Sequence, residues 1–414
     1  MKYFSQRTKN WLSFLLVFLS ASVLSAQSGF DWPQFRGVNR DGISNESGLL
    51  QSWPAEGPKV LWKVSVGDGY SSISVSNGRL YTMFSDGDSE VVAAFDATSG
   101  KEVWRYKLDS NFVNDQGNGP RSTPTLDGDI LYALSGQGML AALNVKDGSK
   151  VWDHNLQKDL NGKVPIWGVA TSPLVEKDTL LVLVGGGENN ALVCFNKKTG
   201  DVIWKSQSDE PGYSSPIAVT IGGVRQIIAF SGTALFSFSP TDGKMYWRYP
   251  WKTDWFVNAA TPILVSNDKI FISTAYDRGC ALLQVTNAGG NVAVQEVWLS
   301  KGMKNHFNSS ILYKDHLYGF DNAVLKCIDT STGEEKWQKG GFGKGSLIFA
   351  DGNLIVLGER GQLLLVEATP DQYKEKASFQ ILQGKCWTEP TLSDGKLYLR
   401  NQKEMLCLDF KTKS

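Results

Sequence analysis

The feature that most constrains this chain is a short signature that returns along its length. It reads TSGKEVW at 98–104, KDGSKVW at 146–152, KTGDVIW at 198–204, TDGKMYW at 241–247 and TGEEKW at 332–337. Around it lies one recurring unit. A strand of small residues is followed by a turn, a strand ending in Leu-Tyr, a third strand, an Asp/Thr/Gly turn and the Trp strand. The tryptophans at 62, 104, 152, 204, 247, 298 and 337 stand 39 to 52 residues apart, and 42 residues beyond the last is Phe379, in a segment of the same pattern. That period, with four strands per unit, is the period of a β-propeller blade. The 42 glycines, 14 Trp, 13 Tyr and 20 Phe suit many short strands and tight turns and argue against a helical bundle.

The first strand also has eight copies, beginning near Ser71, Ser122, Thr171, Ser214, Ala259, Asn308, Gly345 and Thr388. The last copy ends after three strands, and the first Trp strand, at 59–63, has no blade before it. The expectation is an all-β, eight-bladed propeller of four-stranded blades. Residues 59–66 would pair with the strand at 405–409, complete the last blade and remove the open sheet edges. Residues 57–414 then form a single domain behind a leader, 27–56.

Residues 1–26 read as a signal peptide. Lys2, Arg7 and Lys9 precede an apolar run at 11–24, and Leu24-Ser25-Ala26 offers a cleavage site. Position 27 is Gln where a lipoprotein would carry its lipid-modified Cys, so the mature chain is expected to be exported, periplasmic or secreted, and not lipid-anchored. No later segment is apolar over 18 residues, so no transmembrane segment is expected after signal removal. Lys+Arg and Asp+Glu both number 42, which argues against nucleic-acid binding. Of the five cysteines, Cys194, Cys327 and Cys407 occupy a strand position held elsewhere by Ala94, Ala142 or Ser237. They read as small buried residues, reduced despite export; the state of Cys280 and Cys386 is left open.

The repeated Gly-and-Trp signature resembles the PQQ-like repeat, found in the eight-bladed propellers of quinoprotein alcohol dehydrogenases and of BamB-type outer-membrane assembly factors. The leader Asp31-Trp32-Pro33-Gln34-Phe35-Arg36-Gly37, followed by Asn39-Arg40-Asp41-Gly42, is similar to that of exported members of this class. The resemblance covers residues 31–414. It implies an exported binding or scaffold protein of the cell envelope, without catalysis and with protein partners. It also implies an alternative, a periplasmic dehydrogenase using PQQ with Ca²⁺.

Strand direction places every connection that precedes an innermost strand on one face, at the mouth of the central channel. Arg121, Trp167, Asn258, Asn308, Lys344, Trp387 and Glu389 lie on those connections and are predicted to converge there as a cofactor- or ligand-binding set. Arg121 and Lys344 would favour a small anionic ligand. A rim ion network among Arg121, Lys344 and Glu389 is the structural reading of the same residues, as are turn caps for Asn258 and Asn308. Were Ca²⁺ and PQQ bound, Glu389 and Asn308 would be the metal ligands. Against this stand the lack of an adjacent Cys pair and of a CxxCH motif, and no catalytic residue is assigned. A third reading is a carbohydrate- or peptide-binding module stacking ligands on Trp251, Trp255 and Trp387.

Overall fold

The computed structural model describes Met1 and residues 30–412, so the expected signal segment falls outside the described residues apart from Met1. Eight four-stranded antiparallel sheets follow one another, at 74–110, 125–155, 174–206, 217–250, 263–300, 311–339, 346–380 and 391–409. The eighth has three strands of its own, and its fourth is Val60–Ser65. Trp62 stands opposite Cys407, Lys63 opposite Leu406 and Val64 opposite Met405, which is the closure expected from the sequence.

The repeated residues hold the blades together in three layers. Innermost are Ser and Thr, small enough to crowd the axis and able to bond across blade junctions. Ser72 N–H donates to Thr123 Oγ1 (3.1 Å), Thr123 N–H to Ser172 Oγ (3.0 Å) and Ser172 N–H to Ser215 Oγ (2.9 Å). Thr261 N–H donates to Ser309 Oγ (2.9 Å), and Glu389 N–H to Ser72 Oγ (3.1 Å) across the seam. Side-chain donors of Ser214, Asn308 and Ser346 bridge the other three junctions to carbonyls of the next blade. Buried backbone groups that no neighbouring strand reaches are satisfied this way.

In the outer layer the Leu-Tyr and Trp strands of one blade meet. Tyr81 packs on Trp104 (6.0 Å), Tyr132 on Trp152 (6.0 Å), Tyr318 on Trp337 (5.9 Å) and Tyr398 on Trp62 (5.9 Å). The residue opposite each Trp on the third strand is small in most blades: Ala94, Ala142, Cys194, Ser237, Cys327 and Cys407. All five cysteines are free and buried, Cys280 and Cys386 included.

Between blades, the Trp of one lies under the turn glycine of the next. A Cβ on Gly100 would sit 2.7 Å from Trp62, on Gly148 2.6 Å from Trp104, and on Gly243 2.4 Å from Trp204. Phe379 takes the eighth place, against Gly57. Trp62, Trp104 and Trp152 also donate their indole N–H to turn carbonyls of the next blade, at Ala97, Val145 and Lys197. The signature is thus a blade-to-blade clasp.

The leader is part of the molecule's centre, which its sequence did not reveal. It enters at the far ends of the inner strands, pairing Trp32 with Val75, Ile43 with Phe349 and Leu49 with Lys411. Between these contacts it pushes Arg36 and Arg40 into the channel, 1% and 3% exposed. Arg40 donates to the carbonyls of Ser172 (3.1 Å), Pro216 (3.0 Å) and Pro173 and to Gln34 Oε1 (2.8 Å). With no carboxylate beside it, burial lowers its pKa to about 9. Arg36 bonds the carbonyls of Asp41 and Ser310, both at 2.8 Å, and pairs with Glu389 at 2.9 Å. Tight turns deliver the two side chains: Gly37 and Gly42 have φ of 80° and 77°, and a Cβ on Gly42 would come within 2.5 Å of Ile311 Cδ1.

Candidate functional site

With the leader closing one end, the channel opens as a pit on the opposite face. The cavity measures about 380 Å³, within the range of small-ligand clefts. Phe35 and Glu389 line it, Glu389 being paired with the buried Arg36 behind it; its wall is largely aromatic. Trp387 contacts Phe307 (4.8 Å between centroids) and Tyr70 (5.4 Å), and His306 stacks on Tyr276 (5.4 Å) and meets Phe307 edge-on (5.7 Å). Trp167 packs on Tyr213 across the cavity mouth (6.0 Å). The rings hold one another, so the wall is formed before any ligand arrives.

Six of the seven predicted residues line this cavity: Arg121, Trp167, Asn308, Lys344, Trp387 and Glu389. Asn258 does not. It is fully buried, its amide donating to the carbonyls of Ser231 (2.7 Å), Gly232 and Trp251 and its Oδ1 accepting from Thr274 Oγ1 (3.0 Å). It braces the connection into the fifth blade. The rim ion network is also absent among the described residues, because each charged member has another duty. Glu389 is taken by Arg36 from the leader. The Arg121 guanidinium folds back on the carbonyls of Trp167 (2.7 Å), Gly117 (2.5 Å) and Gly119, and lies over Phe112 (4.5 Å). Desolvation there lowers its pKa to about 10. Lys344, like Arg121, makes no ion pair among the described residues; its backbone N–H donates to Glu359 Oε2 (3.2 Å), whose other oxygen accepts from Trp387 Nε1 (2.9 Å).

Two polar atoms in the wall have no protein partner, His306 Nδ1 and Glu389 Oε2. Burial, then Lys344, pushes the imidazole of His306 down to about 4, so it is neutral at physiological pH. Burial raises the carboxyl of Glu389, and Arg36 pulls it back. The rings of Phe35, Tyr276 and Phe307 are site residues that the sequence reading missed. Phe35 belongs to the leader, and Tyr276 to a second-to-third-strand loop. Phe307 sits beside Asn308, which the sequence singles out for its polarity.

Of the proposed stacking platforms only Trp387 reaches the cavity. Trp251 is wholly buried, its indole bonded to Thr274 Oγ1 (3.2 Å). Trp255 is 63% exposed on the rim, held at φ 63°, ψ 12°. Val113 and Ile166 are also exposed on connections of this face.

Ca²⁺ with PQQ does not fit these residues. Asn308 spends its amide on the Gly345 carbonyl (2.6 Å), and its oxygen faces Asn305 Nδ2 (3.4 Å). Glu389 offers a single free oxygen, and Arg121 has turned its donors to backbone. Among the described residues no three His, Cys, Asp or Glu gather as metal ligands.

Fold and site together define a PQQ-like repeat propeller with a plugged channel and an aromatic pit. Comparison with known proteins places it further. The sequence profile of the family described as outer membrane protein assembly factor BamB matches residues 46–188 and 123–339, and the chain belongs to that family. The BamB of Shewanella oneidensis is 29% identical over 205 residues, 47% of this chain; the match spans about half that relative's length, also 47%. The BamB of Moranella endobia is 25% identical over 322 residues, 72% of this chain and 74% of its own. The crystal structure of BamB from Moraxella catarrhalis superposes with a TM-score of 0.63 at 12% identity, covering 86% of this chain and 98% of that one. At that identity the likeness concerns the fold.

Proposed function

We propose that the protein is an exported, non-catalytic scaffold of the cell envelope that contributes to outer-membrane protein assembly through protein partners. The observation that carries this reading is the family match over residues 46–339, joined to a cavity whose charged groups are mostly tied to the fold. Among the described residues that line it, no hydroxyl is hydrogen-bonded to His306, Lys344 or the Glu389 carboxylate. The exposed Val113, Ile166 and Trp255 on the cavity face supply apolar contacts of the kind partner surfaces use. Export rests on the 1–26 segment, and among the described residues no helix is long and apolar enough to cross a membrane.

Three measurements test this. Deleting the gene in its host should lower the amounts of outer-membrane β-barrel proteins, quantified by mass spectrometry, and unchanged amounts would defeat the assembly role. Purified protein given PQQ, Ca²⁺ and alcohols should not reduce an electron-accepting dye; steady reduction would make it a dehydrogenase. The envelope-fraction protein should begin at Gln27 by intact mass.

A further inference from the structure

We propose that two copies of this chain dock face to face, the Trp255 of each entering the aromatic pit of the other with Asp254 beside the other copy's Lys344. The contact is separate from the assembly role and follows from how the turn at 253–257 is built. Thr253 closes that turn, its Oγ1 donating to the Val257 carbonyl (2.9 Å) while its own carbonyl accepts from Phe256 N–H (3.3 Å). Trp255 and Phe256 both have positive φ, 63° and 58°, where any side chain but that of Gly is strained. Phe256 rests on Gly232, where an added Cβ would lie 2.9 Å from the Phe256 Cβ. Trp255 is instead 63% exposed, the most exposed aromatic side chain among the described residues. A strained backbone that leaves an indole in water gains the lone chain nothing, and strain of this kind collects at contact sites.

The receptor lies on the same face. Val257 and Ala259, at and just after the turn, line the cavity with Tyr213, Phe307 and Trp387, and a wall of rings suits another ring. A two-fold axis in the plane between two facing copies carries the Trp255 of each onto the pit of the other, so a single fit is made twice. The charges agree. Asp254 is exposed and in no ion pair among the described residues, as is the ammonium of Lys344 in the pit. Lys252, the cation of the turn, sits over Phe256 (5.4 Å). The acids at the pit are engaged. Glu389 and Asp41 face Arg36, Glu359 accepts from Trp387 and the Lys344 N–H, Glu90 accepts two backbone N–H groups, Asp68 faces Arg400 and Asp277 pairs with Lys304. Asp115 on the neighbouring connection is exposed without an ion pair, but Lys385 stands next to it, donating to the Gln116 carbonyl (2.9 Å) over the ring of Trp387. A small aromatic ligand would fill the pit and leave Trp255, Val113 and Ile166 in water; a second copy covers the face that carries them.

The test is analytical sedimentation of the full mature chain at about 1 to 500 µM. Two small anchors define a weak dimer. The chain should be a monomer at about 1 µM, where melting curves then report a single copy, and a dimer at about 500 µM. Trp255→Ala should weaken the dimer about a hundredfold or more, since one substitution removes both anchors. It should leave the melting temperature of the monomer near that of the parent, because the side chain is exposed. Lys344→Glu should weaken the dimer about tenfold and Asp254→Lys likewise, and both changes in one chain should restore it by exchanging the pair. A chain that stays monomeric throughout would overturn the proposal. So would a dimer that Trp255→Ala leaves intact, or a double variant no tighter than either single one. If the parent is monomeric and its pit takes a free tryptophan-containing peptide, the pit serves another partner and self-docking is again overturned. None of these results bears on the amounts of β-barrel proteins, so the two proposals fail separately.

Discussion

At the scale of residues, position along the chain was easier to read than side-chain direction. Asn258 stands five residues before the inner strand Ile263–Ser266 and Asn308 three before Ile311–Tyr313; one braces a loop and the other bridges two blades at the cavity edge. That offset of two residues shows once the blades are aligned on their inner strands, but which carbonyl each amide meets depends on the junction it faces. Glu90 is a residue the sequence did not mark at all. It is fully buried, accepts from Gly136 N–H (2.8 Å) and Phe112 N–H (3.2 Å), and burial raises its pKa to about 7 despite both bonds and Arg121. The sign follows directly. Below the unfolded value of 4.5 the group is protonated in both states and costs the fold nothing. As pH rises through 7 the folded protein must hold a desolvated carboxylate, and stability is lost, by about 3 kcal/mol at most. Glu90→Gln should flatten that fall, so that the variant gains on the parent between pH 5 and 8. Parallel melting curves for the two across that range would contradict the assignment.

At the scale of elements the repeat was legible because its residues answer one another. Gly and Trp recur together since each Trp needs a bare turn to lie under, and the third-strand small residue recurs since it faces the Trp. In seven of the eight blades the register between the outer two strands shifts beside the Trp, and in the seventh blade along the chain it shifts beside Ala377, two residues before Phe379. Such a bulge sharpens the twist at the edge. The coupling is measurable. Trp104→Ala should cost about 3–5 kcal/mol, as for other large aromatic truncations. Gly148→Ala should also destabilise, both through its φ of 74° and through the 2.6 Å approach to the indole. In the Trp104→Ala background the second term vanishes, leaving about 1 kcal/mol for the backbone. Additive costs in a denaturant-unfolding cycle would show the two residues to be independent.

At the scale of the whole molecule, the ring and its seam could be read from spacing, but the plug could not. The leader has no copy elsewhere in the chain, so no comparison of repeats reveals its place; Gly37 and Gly42, between and after two arginines, were the only hint of a tight path. Two truncations separate plug from seam. Removing residues 27–50 keeps Val60–Ser65 but strips Glu389 of Arg36, and a buried charge left alone costs about 3–5 kcal/mol. That variant should stay monomeric and melt lower. Removing 27–66 exposes the edge of the last blade and should aggregate; a soluble monomer melting like the parent would refute the closure. The seam also imposes an order in time. Trp62 finds its partner strand at Cys407, 345 positions later. A chain emerging N-terminus first carries an unmated strand through nearly all of its synthesis, and such edges recruit any extended neighbour. Completion therefore waits for the final blade, and the slowest phase of refolding should be the one in which beginning and end meet.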